Sequence, residues 1–134
     1  MPASKAFFDT NVLIYAFAAN DRRQGVALDL LMAGGTIGVQ TLNEFVRVSA
    51  GKMQMPWPDV ILSLRTIELL CPQAVPLSME VHRRGLSIAQ AYGYGIYDSL
   101  MLAAALEASC TIFCSEDLRH GQSIGTLTIR NPFA

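Results

Sequence analysis

Lys5-Ala6-Phe7-Phe8-Asp9-Thr10-Asn11-Val12-Leu13-Ile14-Tyr15 is the stretch on which the class of the fold turns. Lys5–Phe8 is a short apolar, aromatic run that reads as a strand, and Asn11–Ala19 reads as a helix; a lone acid, Asp9, stands between them. A strand that feeds a helix directly is the opening of a crossover connection, and the same alternation continues downstream. Asn20-Asp21 can cap a second helix through Leu31-Met32, which Gly34-Gly35 stops. Thr36–Val39 reads as the second strand, with a helix from about Leu42 to Ala50 behind it. Met55-Pro56-Trp57-Pro58 is a turn, Pro58 opening a helix in which Val60, Ile61, Leu64, Ile67 and Cys71 form an apolar stripe. Pro72 ends that helix, Ala74–Leu77 is a short strand, and Ser78 caps a more polar helix to about Tyr92. Gly93 and Gly95 break the pattern before Tyr97–Ala108, which is apolar nearly all round and so predicts a buried helix. Thr111–Cys114 and Thr126–Ile129 complete the strands. The expectation is an α/β fold with a mostly parallel sheet, in one domain over residues 1–134 without repeat or linker.

Composition narrows the possibilities. With 134 residues, 51% hydrophobic and 16% charged, the chain can fill one core and is not intrinsically disordered. The longest apolar run, Val12–Ala19, is far too short to span a bilayer, which needs about 20 residues. Met1-Pro2-Ala3-Ser4-Lys5 leads straight into the first strand, so a soluble cytoplasmic protein without a secretory signal is expected. Three cysteines do not make a disulfide framework. Cys110 and Cys114 would share one face of a strand, and buried apolar thiols are expected in preference to a zinc site.

In so sparsely charged a chain, four carboxylates occupy telling places. Asp9 follows the first strand and Asp117 the Thr111–Cys114 strand, and the carboxyl ends of parallel strands are where α/β sheets bind ligands. Glu44 lies near the start of the helix after the second strand, and Asp98 opens the apolar Tyr97–Ala108 helix. Each also has a structural reading. Asp9 can cap its helix, and Thr41-Leu42-Asn43-Glu44 is a capping box. Asp98 suits a helix dipole, and Asp117 suits a turn. Converging in one cleft, the four would raise each other's pKa unless a cation neutralised them. An all-oxygen set suits Mg²⁺ or Mn²⁺, the equipment for hydrolysing a phosphodiester.

Phe8-Asp9-Thr10-Asn11-Val12-Leu13-Ile14, Leu42-Asn43-Glu44-Phe45, Tyr97-Asp98-Ser99-Leu100 and Ser115-Glu116-Asp117 together resemble the four acidic motifs of the PIN-domain ribonucleases. Length and motif order are most similar to the VapC-type toxins of bacterial toxin–antitoxin modules. The resemblance implies a parallel sheet of four or five strands flanked by helices, and a metal-dependent endoribonuclease using Mg²⁺ or Mn²⁺. By motif, Asp9, Asp98 and Asp117 would hold the metal directly or through water, and Glu44 would complete the catalytic ring and orient the attacking water. Ser115 and Asn11 would support the site. Glu116 and Asp117 are adjacent, and the spacing from Ser115 favours Asp117 as the inward one. In-line attack by water on the RNA phosphodiester would leave a 5′-phosphate and a 3′-hydroxyl. The resemblance further implies an RNA substrate, a small antitoxin partner that lays a helix in an apolar groove, and a homodimer.

The chain carries a net charge of −1, but without the four site carboxylates the remainder is +3, compatible with phosphate binding. Arg47, one turn from Glu44, is the first candidate phosphate contact, followed by Lys52 and Arg119. Arg22-Arg23 and Arg83-Arg84 read as solvated helix faces, and His82 and His120 as surface residues. Ile14, Phe17, Phe45, Val46, Trp57 and Ile61 can line the partner groove or simply form core. A haloacid-dehalogenase-like phosphatase would need a second acid where Asn11 stands, so a phosphoaspartate on Asp9 is disfavoured. A PIN-like domain that binds RNA or protein without cutting is the other alternative.

Overall fold

Consecutive side chains of an extended strand point to opposite faces, and that rule divides this core in two. The structure, a computed structural model, describes residues 5–134. The chain runs β1 (Ala6–Phe8), α1 (Thr10–Ala16), α2 (Gln24–Ala33), β2 (Ile37–Gly38), α3 (Val39–Val46), a π-helical segment (Arg47–Lys52), α4 (Trp57–Leu70), β3 (Ala74–Val75), α5 (Met79–Tyr92), α6 (Ile96–Glu107), β4 (Ile112–Cys114), β5 (Ser123–Ile124) and β6 (Leu127–Arg130). In β1, Phe7 joins the cluster under α5 and α6, while Phe8 joins the cluster built from α1 to α4. In β4, Phe113 and Cys114 divide in the same way. The result is a sheet sandwiched between two helical layers, as the expected α/β class requires.

Strand order is β1-β4-β6-β5, with β1, β4 and β6 mutually parallel and β5 antiparallel at the edge. β2 and β3 form a separate parallel pair, tied to β1 by a bridge between Phe7 and Thr36. The register sets Phe8 opposite Cys114, so the residues that follow each strand emerge side by side at one end of the sheet. α6 lies beneath that end. Ser99 through Ala105 are all buried, which accounts for the helix being apolar on every side. α5 approaches α6 closely at Gly85, where a Cβ would come within 3.4 Å of the Leu100 Cα. α5 starts as its sequence indicates, with Ser78 Oγ accepting from the Val81 N–H at 3.1 Å, and stops at left-handed Gly93.

Several boundaries differ from expectation, each for a local reason. The helix expected from Leu42 begins at Val39, because Gly38 is extended and its N–H donates to Thr41 Oγ1 at 3.1 Å. Thr41 therefore closes the helix one turn earlier, and Glu44 is not the acidic member of a capping box. The same helix continues as a π-helical turn, with the Met53 N–H bonded to the Val48 carbonyl at 2.9 Å. α1 ends at Ala16 before a turn in which Asn20 takes φ 68°. Asp21 does not cap α2; its carboxylate accepts from the Arg23 N–H at 2.8 Å in the turn before it. Cys110 and Cys114 are buried free thiols but lie in opposite core layers, since Cys110 precedes β4 and follows Ser109 at φ 58°. Within the α4 stripe Ile61 is exposed. β5, two residues long, has no sequence signal. The expectation about Met1–Ser4 lies outside the described residues. Among those described, no helix is long and apolar enough to cross a membrane.

The crossing of β1 and the chain entering β2 leaves no room at Gly35, where a Cβ would fall 2.5 Å from the ring of fully buried Phe8. Gly35→Ala is expected to lower unfolding free energy by about 1–3 kcal/mol in urea denaturation. Gly25, on the open side of α2 with nothing within 4 Å, is the matched control. Gly25→Ala is expected to be neutral or to stabilise by up to about 1 kcal/mol.

Candidate active site

The parallel pairing of β1 and β4 sets Asp9 beside Ser115. The Asp9 N–H donates to the Cys114 carbonyl at 2.9 Å, continuing the ladder, and Ser115 Oγ donates to Asp9 Oδ2 at 2.7 Å. Asp9 is also the N-cap of α1, accepting the Thr10 N–H on Oδ1, so its structural and site readings are one geometry. Ser115 Oγ in turn accepts the N–H groups of Asp117 and Leu118 at 3.1 and 3.2 Å, which folds the chain after β4 into a tight turn. Asn11 bridges the two acids: Nδ2 donates to Asp117 Oδ2 at 3.2 Å and lies 3.5 Å from Asp9 Oδ2.

Asp98 arrives from a different direction, in the first turn of α6, and Glu44 from the middle of α3. All four carboxylates line one cleft of about 750 Å³. The opposite wall is the π-helical segment, which contributes Arg47, Val48 and Lys52. Arg47 reaches back to Glu44, donating from Nη2 at 2.9 Å and Nε at 3.2 Å, with its own side chain 75% exposed. Gln40 Nε2 holds the other Glu44 oxygen at 3.3 Å.

Burial dominates the electrostatics. Asp9 is 4% exposed, and loss of solvent pushes its pKa up to about 7; Asp98 and Asp117 add to the rise, and the Ser115 and Thr10 hydrogen bonds oppose it. Asp98 is raised as well, first by burial and then by the charges of Asp117 and Glu44. Among the described residues no group of three or more His, Cys, Asp or Glu side chains is gathered closely enough to form a ready-made metal shell. The donor chemistry nevertheless fits a hard divalent cation. Every acidic group is an oxygen donor, the like charges await a counter-charge, and Mg²⁺ characteristically takes one or two carboxylates while keeping several waters.

Other expected residues fall elsewhere. Lys52 lines the cleft, whereas Arg119 does not; its N–H donates to the Tyr94 hydroxyl at 3.2 Å. His82 and His120 are exposed, and His120 Nδ1 accepts the Asn131 N–H at 2.9 Å. Arg84 pairs with Glu107 at 3.0 Å on the surface. Arg23 departs furthest from its solvated reading. Its guanidinium pairs with Asp21, donates to the Tyr15 hydroxyl at 2.8 Å and to both Glu116 oxygens at 2.9 and 3.0 Å, and stacks 3.7 Å above the Tyr15 ring. This clamp turns the Glu116 side chain towards Arg23, while Asp117 lines the cleft. Its partners lie 2, 8 and 93 positions away, so only the fold reveals it.

A pH dependence follows from Asp9. An unfolded aspartate titrates near 4, so between about pH 4 and 7 the folded, metal-free protein binds more protons than the unfolded chain. Its stability is therefore expected to fall as pH rises across that window, Asp98 acting in the same direction. Thermal melting in EDTA checks this: Asp9→Asn should remove most of the decline, and a flat wild-type profile would contradict the assignment.

The PIN domain profile matches residues 6–122. No curated protein matches the chain. Among solved structures, the toxin–antitoxin complex from Klebsiella pneumoniae is 23% identical with TM-score 0.71, over 96% of this chain and 98% of that one. FitAcB from Neisseria gonorrhoeae is 19% identical with TM-score 0.67, over 96% and 98%. A sarcin–ricin-loop-cleaving VapC toxin from Mycobacterium tuberculosis is 12% identical with TM-score 0.65, over 81% and 87%. The fold, the order of its acidic positions and the profile match agree, and the chain belongs to the PIN-domain family.

Proposed function

We propose that this PIN domain is a Mg²⁺- or Mn²⁺-dependent endoribonuclease and the toxin of a cytoplasmic toxin–antitoxin module. PIN domains are typically metal-dependent ribonucleases. The observation that carries the reading is the coupling of Asp9, Asp98, Asp117 and Glu44 around one cleft at the carboxyl ends of β1 and β4. A divalent cation bound there supplies Lewis acidity towards a phosphoryl oxygen and acidifies water. Asp9, Asp98 and Asp117 would hold it, directly or through water. Ser115 and Asn11 fix the carboxylates of Asp9 and Asp117 before any substrate arrives. Glu44, steadied by Gln40 and Arg47, orients the attacking water. The water oxygen bonds to phosphorus as the P–O3′ bond breaks, and the water's proton passes to the 3′-oxygen. Arg47 and Lys52 stand on the cleft wall where flanking phosphates would lie.

An antitoxin partner is supported by the structural neighbours, which include toxin–antitoxin complexes. The face available for it keeps Trp57 and Ile61 of the expected set and loses Phe45. Phe45 is fully buried against Phe17, but Trp57, Ile61, Leu62 and Leu69 of α4 stay exposed, beside α2 with exposed Met32. An amphipathic antitoxin helix would cover this apolar surface.

Purified protein should cut a mixed RNA pool with Mg²⁺ or Mn²⁺, leave 5′-phosphate ends and stop in EDTA. Asp98→Asn is expected to lower the rate by about 100-fold or more without loss of the folded melting transition. Cleavage that survives both EDTA and Asp98→Asn would overturn the site. A folded, metal-loaded protein that cuts nothing would favour a binding-only PIN domain.

A further inference from the structure

Beside the acid cleft lies a second hollow of about 270 Å³ lined by Gln40, Asn43, Glu44, Arg47 and Tyr97. Glu44, Arg47 and Tyr97 line both spaces, so the two adjoin. Tyr97 precedes Asp98 on α6, yet its ring is 60% exposed while the residues after Asp98 are buried. Among the described residues its hydroxyl makes no hydrogen bond, and neither does the exposed Asn43 amide. Gln40 donates to Glu44, and its side-chain carbonyl has no hydrogen-bond partner among the described residues. Neither packing nor satisfaction of the fold's own polar groups explains an aromatic face and a free amide gathered beside the Glu44–Arg47 pair at the rim of a carboxylate cleft.

We propose that this hollow seats an unpaired nucleobase of the RNA, stacked on Tyr97, next to the phosphate held over the acid cluster. The proposal rests on the ribonuclease reading and deepens it. Every base offers a π face to an aromatic ring, whatever its sequence. The Asn43 amide, donor and acceptor together, matches the hydrogen-bonding edge of a base, and the Gln40 carbonyl adds an acceptor. Arg47, fixed by Glu44 between the two spaces, meets the phosphate joining the seated nucleotide to the scissile one, and Lys52 the next along. A base inside a duplex is stacked on both faces and paired at its edge, so it cannot occupy such a seat.

Fluorescence anisotropy tests this with full-length protein, Ca²⁺ replacing Mg²⁺ to hold back cleavage. The probes are a mixed-sequence single-stranded RNA octamer, the same RNA as a duplex, and an abasic ribose-phosphate octamer. Wild type is expected to bind the single strand about tenfold or more tightly than either other probe. Tyr97→Ala should bring all three to one weak affinity, and Tyr97→Trp should keep the preference, with melting and Mn²⁺ affinity unchanged in both variants. A wild-type preference that survives Tyr97→Ala, or no preference at all, overturns the base seat and leaves the nuclease reading standing. If wild type binds none of the probes, the ribonuclease reading itself falls and the seat with it.

Discussion

A carboxylate sealed at the end of a buried strand pair is the constraint on which the rest of this molecule depends. Asp9 sits where β1 stops, within the ladder to β4 and under the Ser115 hydroxyl. Burial works against its charge, and the acids around it add to the penalty. The protein opposes this with two hydrogen bonds to Asp9 and keeps the remaining acids spaced around a cleft open to solvent. Such an arrangement is poorly satisfied alone and well satisfied by a hard cation.

The two walls of the cleft are built to different standards. On the acid side Ser115, Asn11 and the Arg23 clamp tie α1, the turn before α2 and the turn after β4 into one hydrogen-bonded unit. The facing wall is a π-helical turn carrying exposed cations, with Tyr97 across from it. π-helical insertions cluster at functional sites because they re-aim side chains out of the α-helical pattern. Here the departure from α geometry begins at Arg47 and ends at Lys52, and both residues line the cleft. One wall is thus held by side-chain hydrogen bonds before any ligand arrives, and the other presents the exposed side chains of Arg47 and Lys52.

Much of the fold was legible because its signals are local and periodic. The all-round apolar character of Tyr97–Ala108 announces a buried helix, and the apolar runs ending at Phe8 and Cys114 announce strands. The acid at each strand end followed from that reading, as did the cleft they line. What escaped depends on geometry or distance. The box expected at Thr41–Glu44 does not form because Thr41 is the third helical residue, where its Oγ1 accepts the N–H of Gly38, the N-cap, instead of capping the N–H groups that follow it. The π-helical turn has no compositional mark. Arg23 looked like one of a solvated pair until the fold brought Glu116 to it, and Arg119 looked near the site only because it is near in sequence.

A desolvated Asp9 among like charges should stay protonated well above the ordinary aspartate range until a cation binds beside it. Carbon-detected NMR titration of the Asp9 carboxyl tests it directly, without and with saturating Mg²⁺. The midpoint is expected near 7 in the metal-free protein and should fall when the ion binds. A metal-free midpoint near the ordinary value of about 4, or one that Mg²⁺ leaves in place, would contradict it.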